Sequence, residues 1–423
     1  SIDAGLWVEP ELNIVSGEAI ARQILYGQRY CQEKFGTRSL IAWLPDTFGF
    51  CSQLPQLLKL GGIEVFATQK LRWNDTTQFP HELFCWRAPD GSEVIGWTLP
   101  PIGTDFDPLQ IADYAATWEA TTQKPHTCWL PGVGDHGGGP TRDMMLKARR
   151  WGDSPFFPQI TFSTPGQFLQ AATGKPQSEG PKQLEADGEM SLSTEQILDD
   201  LPVWDNELYL ELHRGCYTVH SDQKQQNRRG EDLLYQAELW STVAQLVAKQ
   251  PYPKDALEAA WKALLFNQFH DILPGSSIPE VFKDANQQWQ KVHTIGQETL
   301  TTALEALANC VAIKADHKPL LVFNAHSWSR TDVVNVSIPP GDWQILDCET
   351  NQPVDSIVNR VVDPFNEEIN ANSLSFVAHS VPAIGYRLYA LMARSSSNRE
   401  LFDIKFITIF VLDNDFLRAV VSA

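Results

Sequence analysis

Ile41-Ala42-Trp43-Leu44-Pro45-Asp46-Thr47-Phe48-Gly49-Phe50-Cys51-Ser52-Gln53-Leu54-Pro55-Gln56-Leu57 is the stretch whose reading decides the fold. An apolar run, Leu40 to Leu44, stops at Pro45, an acid follows at Asp46, and after Gly49 a new amphipathic segment begins. A buried strand hands a carboxylate to a loop at its C-terminal end in this way. In open α/β proteins, ligands gather at that edge. From this stretch alone, a cap on the following helix is an equally good reading of Asp46.

Working outward, residues 1 to about 175 alternate short apolar runs with helical patterns. Gly17-Glu18-Ala19-Ile20 opens a helix with Ile20, Ile24, Leu25 and Tyr30 as its apolar or bulky positions. Leu54 to Leu60 predicts a second helix ended by Gly61-Gly62, and Val65-Phe66-Ala67 a second strand. The alternation indicates βαβ connections and parallel strands. Glu93 to Trp97 reads as a strand, Asp113 to Thr121 as a helix, and Cys128-Trp129-Leu130 as a strand that runs into the glycine-rich stretch Pro131 to Thr141. Backbone in such a loop approaches something closely or takes positive φ. No Gly-Lys-Ser/Thr ending follows, and the loop carries an acid, Asp135, so a phosphate cradle is not the reading. Glu207 to Gly215 alternates apolar and polar residues and predicts a strand delivering polar groups to the same rim.

Between about 228 and 310 apolar residues recur every three or four positions: Leu233, Ala237, Trp240, Ala244 and Val247, then Leu257, Trp261, Leu264 and Leu265, then Val281, Val292, Leu300, Leu304 and Leu307. Pro251, Pro253 and Pro274-Gly275 separate them into three helices with short connections, hence antiparallel neighbours in a three-helix bundle. From Pro319 onward short strands separated by turn residues predict an all-β domain. Leu412 to Leu417 reads as one more strand, with no partner remaining in the sequence. A polar Gly and Pro segment, Ala172 to Gly188, is expected to be a surface loop.

Composition narrows the partners. Lys and Arg number 33 against 52 Asp and Glu, a net charge of −19, which repels nucleic acid and anionic membrane surfaces. A neutral small molecule or sugar suits such a surface better. The 14 tryptophans supply planes suited to sugar faces, although most Trp residues serve the core. Seven cysteines without a Cys-x-x-Cys pair fit reduced thiols and a cytoplasmic setting rather than a disulfide framework. Leu401 to Leu412 is too short to span a bilayer.

Two carboxylates at one rim, Asp46 and Asp135, are the pair that retaining glycoside hydrolysis requires, one as nucleophile and one as acid then base. Their surroundings must differ so that their pKa values differ. His270, in Asn267-Gln268-Phe269-His270-Asp271-Ile272-Leu273-Pro274-Gly275, stands at a helix end beside Asp271. A lone histidine there is commonly a dipole partner or a solvated group. The adjacent His-Asp pair is better placed to present two polar groups to a cleft, and His270 with Asp46 could hold a metal. Two such ligands on separate elements suit zinc, which needs three or four. No further ligand stands out: His220-Ser221-Asp222 reads as a solvated link, and His126, His293 and His317 lack ligand spacing.

Taken in order, these blocks resemble the α-mannosidases of glycoside hydrolase family 38, in particular the cytosolic and bacterial branch. Gly5 to Asn13, Trp43 to Gln56, Thr68 to Pro80, Gly134 to Thr141, Glu207 to Thr218, Asn267 to Ile278 and Val381 to Tyr386 carry the resemblance. It implies an irregular parallel α/β barrel, incomplete at its N-terminal side, over residues 1–225, a three-helix bundle over 226–312, and the start of a β-sandwich domain over 318–423. It further implies a zinc ion held by Asp46 and His270, with Asp46 as nucleophile, Asp135 as acid/base, and Asp271 and Lys70 against the substrate. The expected activity is retaining removal of terminal α-linked mannose from a mannose-containing oligosaccharide, with a homo-oligomer allowed for and no nucleic-acid or membrane partner. The family's other two zinc ligands, a His-x-Asp pair, are expected before Gly5, and later sandwich strands are absent. The chain therefore reads as a piece cut at both ends, and an inactive or merely sugar-binding remnant is the competing expectation. A metal-dependent deacetylase is a third, resting on barrel architecture alone.

Overall fold

Alternation of side chains along four short strands organises the first part of the chain. The computed structural model describes residues 2–134, 138–173, 198–312, 318–339, 343–362, 369–393, 409–413 and 418–422. They fall into two compact units, Ser1–Ala306 and Leu307–Ala423. In the first, β1 (Ile41–Trp43), β2 (Val65–Thr68), β3 (Leu83–Arg87), β4 (Glu93–Thr98) and β7 (Val203–Trp204) form a sheet in the order β1-β2-β4-β3-β7. Pairings β1 with β2, β2 with β4 and β3 with β7 are parallel, whereas β3 runs antiparallel to β4. A shorter parallel pair joins β5 (Ile102–Thr104) to β6 (Leu130–Pro131). Among the described residues the five-stranded sheet is open, with β1 and β7 at its edges.

Every residue of β2 is buried, because both faces of the sheet are covered. Ala42, Phe66, Phe84, Trp86 and Val94 point into one core, while Ile41, Val65, Ala67, Cys85, Ile95 and Trp97 point into another. The second core is closed by Trp118 of α3 (Pro108–Thr122) and by Phe168 and Leu169 of α5 (Pro165–Thr173); between them in the chain, α4 (Arg142–Gly152) places Met144 and Ala148 in a smaller cluster with Phe106 and Ile111. The first is closed by α1 (Gly17–Phe35), α2 (Leu54–Leu60) and three later helices, α6 (Ser221–Ala248), α7 (Lys254–Asn267) and α8 (Pro279–Ala308). Of the apolar positions read for these three helices, Ala237, Trp240, Ala244, Leu257, Trp261, Leu264, Leu265 and Val292 are buried and Val247 is exposed, while the core also takes Leu234, next to the half-buried Leu233, and Trp289.

Capping fixes the ends of α1. Ser16 accepts from the Ala19 amide, Gly36 closes the helix with φ 74°, and Glu18 and Lys34 complement the macrodipole. Its inward stripe is Ala19, Ile20, Gln23, Ile24, Gly27 and Cys31, whereas Leu25 and Tyr30 are exposed. A Cβ on Gly27 would overlap the backbone of Leu6, so this helix and the Leu6 segment touch backbone to backbone.

The strand expected over Glu207 to Gly215 does not form. Only Leu208 bridges, to Phe50, and residues 214–217 turn into a 3-10 helix. The reason is a competing set of side-chain bonds. Glu211 accepts from the amides of Thr76 and Thr77 at 2.7 and 2.8 Å and from the Thr76 hydroxyl, while its own amide donates to Asn74 Oδ1 at 2.9 Å. The segment is clamped to the loop after Lys70–Trp73 instead of joining a ladder. Hydrogen bonds from the Thr77 side chain, then the Thr77 and Thr76 amides, hold the Glu211 carboxyl down at about 2.

The second unit holds two antiparallel sheets around one core. One contains β8 (Lys318–Asn324), β10 (Trp343–Asp347), β11 (Gln352–Val354) and β14 (Gly385–Ala393). The other contains β9 (Arg330–Ile338), β12 (Ser356–Val362) and β13 (Ile369–Val381). Phe376 of the second meets Tyr389 of the first edge to face, with ring centroids 4.9 Å apart. The unpartnered strand expected over Leu412 to Leu417 is not what forms: β15 (Ile409–Asp413) pairs with β16 (Arg418–Ser422), and residues 414–417 lie outside the described residues. Of the surface loop expected over Ala172 to Gly188, Ala172 and Thr173 end α5 and the remainder lies outside the described residues. Among the described residues no helix is long and apolar enough to cross a membrane.

Two outcomes are expected. Gly27→Ala should destabilise the first unit by about 1–3 kcal/mol, the usual cost of overpacking, read as a lower urea midpoint. Because the Glu211 carboxyl is depressed on folding from 4.5 to about 2, its contribution is present above about pH 4.5 and is lost as the pH falls toward 2. Glu211→Gln should therefore flatten the acid limb of the stability profile over that window; an unchanged limb would refute the clamp.

Candidate functional site

The parallel strands end together at one rim. Leu44 donates to Ala67 O at 2.9 Å, Gln69 to Pro45 O at 3.3 Å and Leu99 to Thr68 O at 2.8 Å, so the exits of β1, β2 and β4 are tied to one another. From β1 the chain delivers Asp46, and from β2 it delivers Lys70. Lys70 Nζ lies 3.1 Å from Asp46 Oδ1, with the ammonium buried and the carboxylate 41% exposed. The same ammonium sits 3.9 Å from the centroid of Trp73. It thus faces a carboxylate and an aromatic plane, both of which suit a desolvated cation.

A third element completes the group. Leu6 to Asn13 has no regular secondary structure, yet its polar groups are consumed in order. Trp7 N donates to Gln23 O, Glu11 N to Gln268 O and His270 N to Glu9 O, with Pro10 and Phe269 bridged antiparallel. This seam brings Glu9 beside His270. Glu9 Oε1 accepts the amides of Asp46 and Thr47, and Glu9 Oε2 lies 3.8 Å from His270 Nδ1. Glu9, Asp46 and His270 each offer one ligand atom within 4.8 Å of the others. Glu9 is the carboxylate that the sequence reading missed. Its signal was present: an acid set within Leu6-Trp7-Val8-Glu9-Pro10, where only a partnered or functional charge is tolerated.

The electrostatics favour a cation here. Burial pushes the Glu9 carboxyl up to about 8; hydrogen bonds from the Asp46 amide pull the other way, and the Asp46 charge adds to the rise. Burial also lowers the His270 pKa, outweighing the nearby Asp271 carboxylate, so the ring is neutral near pH 7. His270 Nδ1 lies 3.2 Å from Glu9 O, and since a carbonyl can only accept, that nitrogen carries the proton and Nε2 keeps its lone pair. A neutral imidazole and two carboxylates, one of which keeps its proton unless a cation arrives, form a donor set that fits a divalent metal.

Asp271 lies next to this group, its Oδ2 3.6 Å from His270 Nε2 and its Oδ1 accepting from Ser276 Oγ at 2.7 Å. The structure therefore brings together Asp46, Lys70, His270 and Asp271 and adds Glu9. Asp135 lies outside the described residues; on either side of it, Val133 N donates to Gly138 O at 2.8 Å. Phe48 walls the site, its ring 5.9 Å from that of His270 and 4.7 Å from that of His213. The helix-cap reading of Asp46 does not hold, because α2 begins at Leu54 and Gln53 occupies its cap position. His220-Ser221-Asp222 opens α6, packed against the Gly275 turn, with the His220 ring stacked on Phe282 at 4.0 Å.

Residues 1–207 match the glycosyl hydrolases family 38 N-terminal domain, and residues 211–307 match the alpha mannosidase middle domain. Alpha-mannosidase 2C1 of Homo sapiens is 36% identical over 341 residues, which is 80% of this chain and 30% of that protein. Alpha-mannosidase of Saccharomyces cerevisiae is 36% identical over 295 residues, 66% of this chain and 25% of that protein. The chain thus spans less than a third of the length of these curated relatives. The crystal structure of an alpha-mannosidase from Enterococcus faecalis V583 superposes with a TM-score of 0.66 at 19% identity, over 92% of this chain and 47% of that one, a likeness of fold alone. With the family 38 N-terminal pattern and the middle-domain pattern lying consecutively along the chain, the chain belongs to glycoside hydrolase family 38.

Proposed function

We propose that the site hydrolyses terminal α-linked mannose from a mannose-containing oligosaccharide, as a retaining exo-glycosidase. The observation that carries this reading is the placement of Asp46: at the strand rim, accessible, 3.1 Å from the Lys70 ammonium and grouped with Glu9 and His270. The accessible carboxylate faces solvent on one side and the Lys70 ammonium on the other, a placement that suits a nucleophile. Asp46 attacks the anomeric carbon as the glycosidic bond breaks, and the departing oxygen takes a proton from an acid, a role we assign to Asp135. Water then attacks the glycosyl ester, giving its proton back to the same residue, and mannose leaves with Asp46 restored. Lys70 and Asp271 are assigned to substrate hydroxyls.

Glu9, Asp46 and His270 would hold a zinc ion. When bound, zinc would supply Lewis-acid polarisation of sugar oxygens. Glu9 also has a role independent of the metal: its two amide bonds fix the backbone that carries Asp46. The accompanying architecture, proposed with the same reading, is part of an irregular α/β barrel over 1–225, not wholly parallel because β3 runs antiparallel to β4, then a three-helix bundle over 226–312 and the start of a β-sandwich over 318–423.

In this chain Asp46→Asn should lower release of an aryl α-mannoside by roughly a thousand-fold or more, the cost of losing a covalent nucleophile. A fluorinated mannosyl inhibitor should mark Asp46 in the unsubstituted chain by peptide mass mapping; hydrolysis that persists in Asp46→Asn would sink the assignment. For the metal, Glu9→Gln should weaken zinc retention by about ten-fold or more, as lost or loosened ligands do. Equilibrium dialysis reads this without any assay of catalysis, and equal zinc content in both proteins would remove Glu9 from the ligand set.

A further inference from the structure

A cavity of about 440 Å³ opens beside Gly49–Gln53, and none of Glu9, Asp46, Lys70, His270 or Asp271 lines it. Its floor is fixed. Phe50 and Leu208 exchange backbone hydrogen bonds at 2.9 and 3.0 Å, and the Asn206 carbonyl accepts from Trp86 Nε1 at 3.0 Å. Gly49 has φ 97°, and a Cβ there would press on Asn13 Nδ2 at 3.2 Å and Leu208 O at 3.3 Å. Asn13 Nδ2 in turn donates to Tyr217 Oη at 2.9 Å. The cavity is thus held by backbone and paired polar groups rather than by loose side chains.

The lining has a recognisable chemistry. Tyr209 and Tyr217 are 50% and 39% exposed and line the cavity, although half-exposed tyrosines elsewhere are ordinary surface. Ser52, Gln53 and Glu207 also line it, and their side chains make no hydrogen bond to other described residues. Among the described residues, Lys, Arg and His are absent from the lining, and Glu207 lines it, so a phosphate or carboxylate ligand meets no counter-charge there. Flat aromatic surface next to uncommitted hydroxyl, amide and carboxylate groups suits a molecule with one C–H face and a rim of hydroxyls.

We propose that this cavity is a second saccharide site that takes a neutral hexopyranosyl unit, separate from the site built on Asp46. The choice of saccharide rests in part on the glycosidase reading above, and the experiment separates the two. Cys51 lines the cavity and is half-buried, so its reaction with iodoacetamide reports occupancy of this place and not of the other. Burial raises its thiol pKa, so labelling is run at alkaline pH and read by peptide mass mapping. Methyl α-mannoside at about ten times its dissociation constant should slow Cys51 alkylation about ten-fold by mass action. The protection should vanish in Tyr209→Ala, whose half-exposed ring can be removed without opening the core. Alkylation indifferent to the sugar, or protection that survives in Tyr209→Ala, would overturn the proposal. Protection without hydrolysis would count against the glycosidase reading alone, and hydrolysis without protection against the second site alone.

Discussion

Two backbone hydrogen bonds, Glu11 N to Gln268 O and His270 N to Glu9 O, are the constraint on which the site depends. They join residues more than 250 positions apart, so Glu9 comes from the beginning of the first unit and His270 from the turn after α7. Their worth lies less in their own net energy than in what their loss would leave unpaired. Gln268 is fully buried, and its side chain donates to Asn227 Oδ1 and Glu231 Oε1 and accepts from Gln23. Glu231 in turn accepts the amide of Ser16, the residue that caps α1. Shifting the His270 turn would strand this chain of buried polar groups, and so it stays in register.

Electrostatics repeats the theme. Glu9 is buried next to another carboxylate, an arrangement that costs stability unless something is gained. Part of the cost is offset by two amides and by the Lys70 ammonium beside Asp46. What remains shows as a carboxyl held near 8. Glu11, two residues on, is also buried with a raised pKa, but its oxygens are occupied by the amides of Asn13 and Ile14, and it closes a turn. The two acids differ in where the second oxygen points: for Glu9 it faces a histidine, and for Glu11 it faces its own backbone. Burial alone does not single out the functional group; geometry does.

The same difference explains what could be read from the sequence. Strand-loop-helix order placed Asp46 at a rim because apolar runs, Pro45 and Gly49 are local signals. Helices α6 to α8 were legible for the same reason, their periodicity being repeated over many turns. His270 and Asp271 were legible as an adjacent pair at a helix end, Lys70 came with the family pattern, and the structure gathers all three around Asp46. Glu9 escaped because its partners are set by tertiary contacts with residues 46, 47 and 270, which no local pattern encodes. The strand read over Glu207 to Gly215 failed for a related reason: alternation was real, but Glu211 and Asn74 satisfied the backbone through side chains. The register of β3 against β4 was likewise invisible, since parallel and antiparallel neighbours bury similar residues.

The Asp46 loop shows how an irregular segment can be as fixed as a strand. The amides of Asp46 and Thr47 go to Glu9, that of Gly49 to Thr47 O, and that of Phe50 to Leu208 O, while the Thr47 hydroxyl donates to Pro10 O. The Phe48 carbonyl accepts from Asn13 and Tyr217. With its backbone groups so committed, the loop has little freedom to lose when a ligand arrives, and a carboxylate mounted on it is oriented in advance. Asn13 and Gly49 line the neighbouring cavity while Phe48 walls the Asp46 site, so the two places share one stiff wall. A wall of this kind transmits force poorly as motion but well as position. Asp46 is therefore held by Leu6–Asn13 on one side and by the Leu208 segment on the other, and regular secondary structure supplies neither hold.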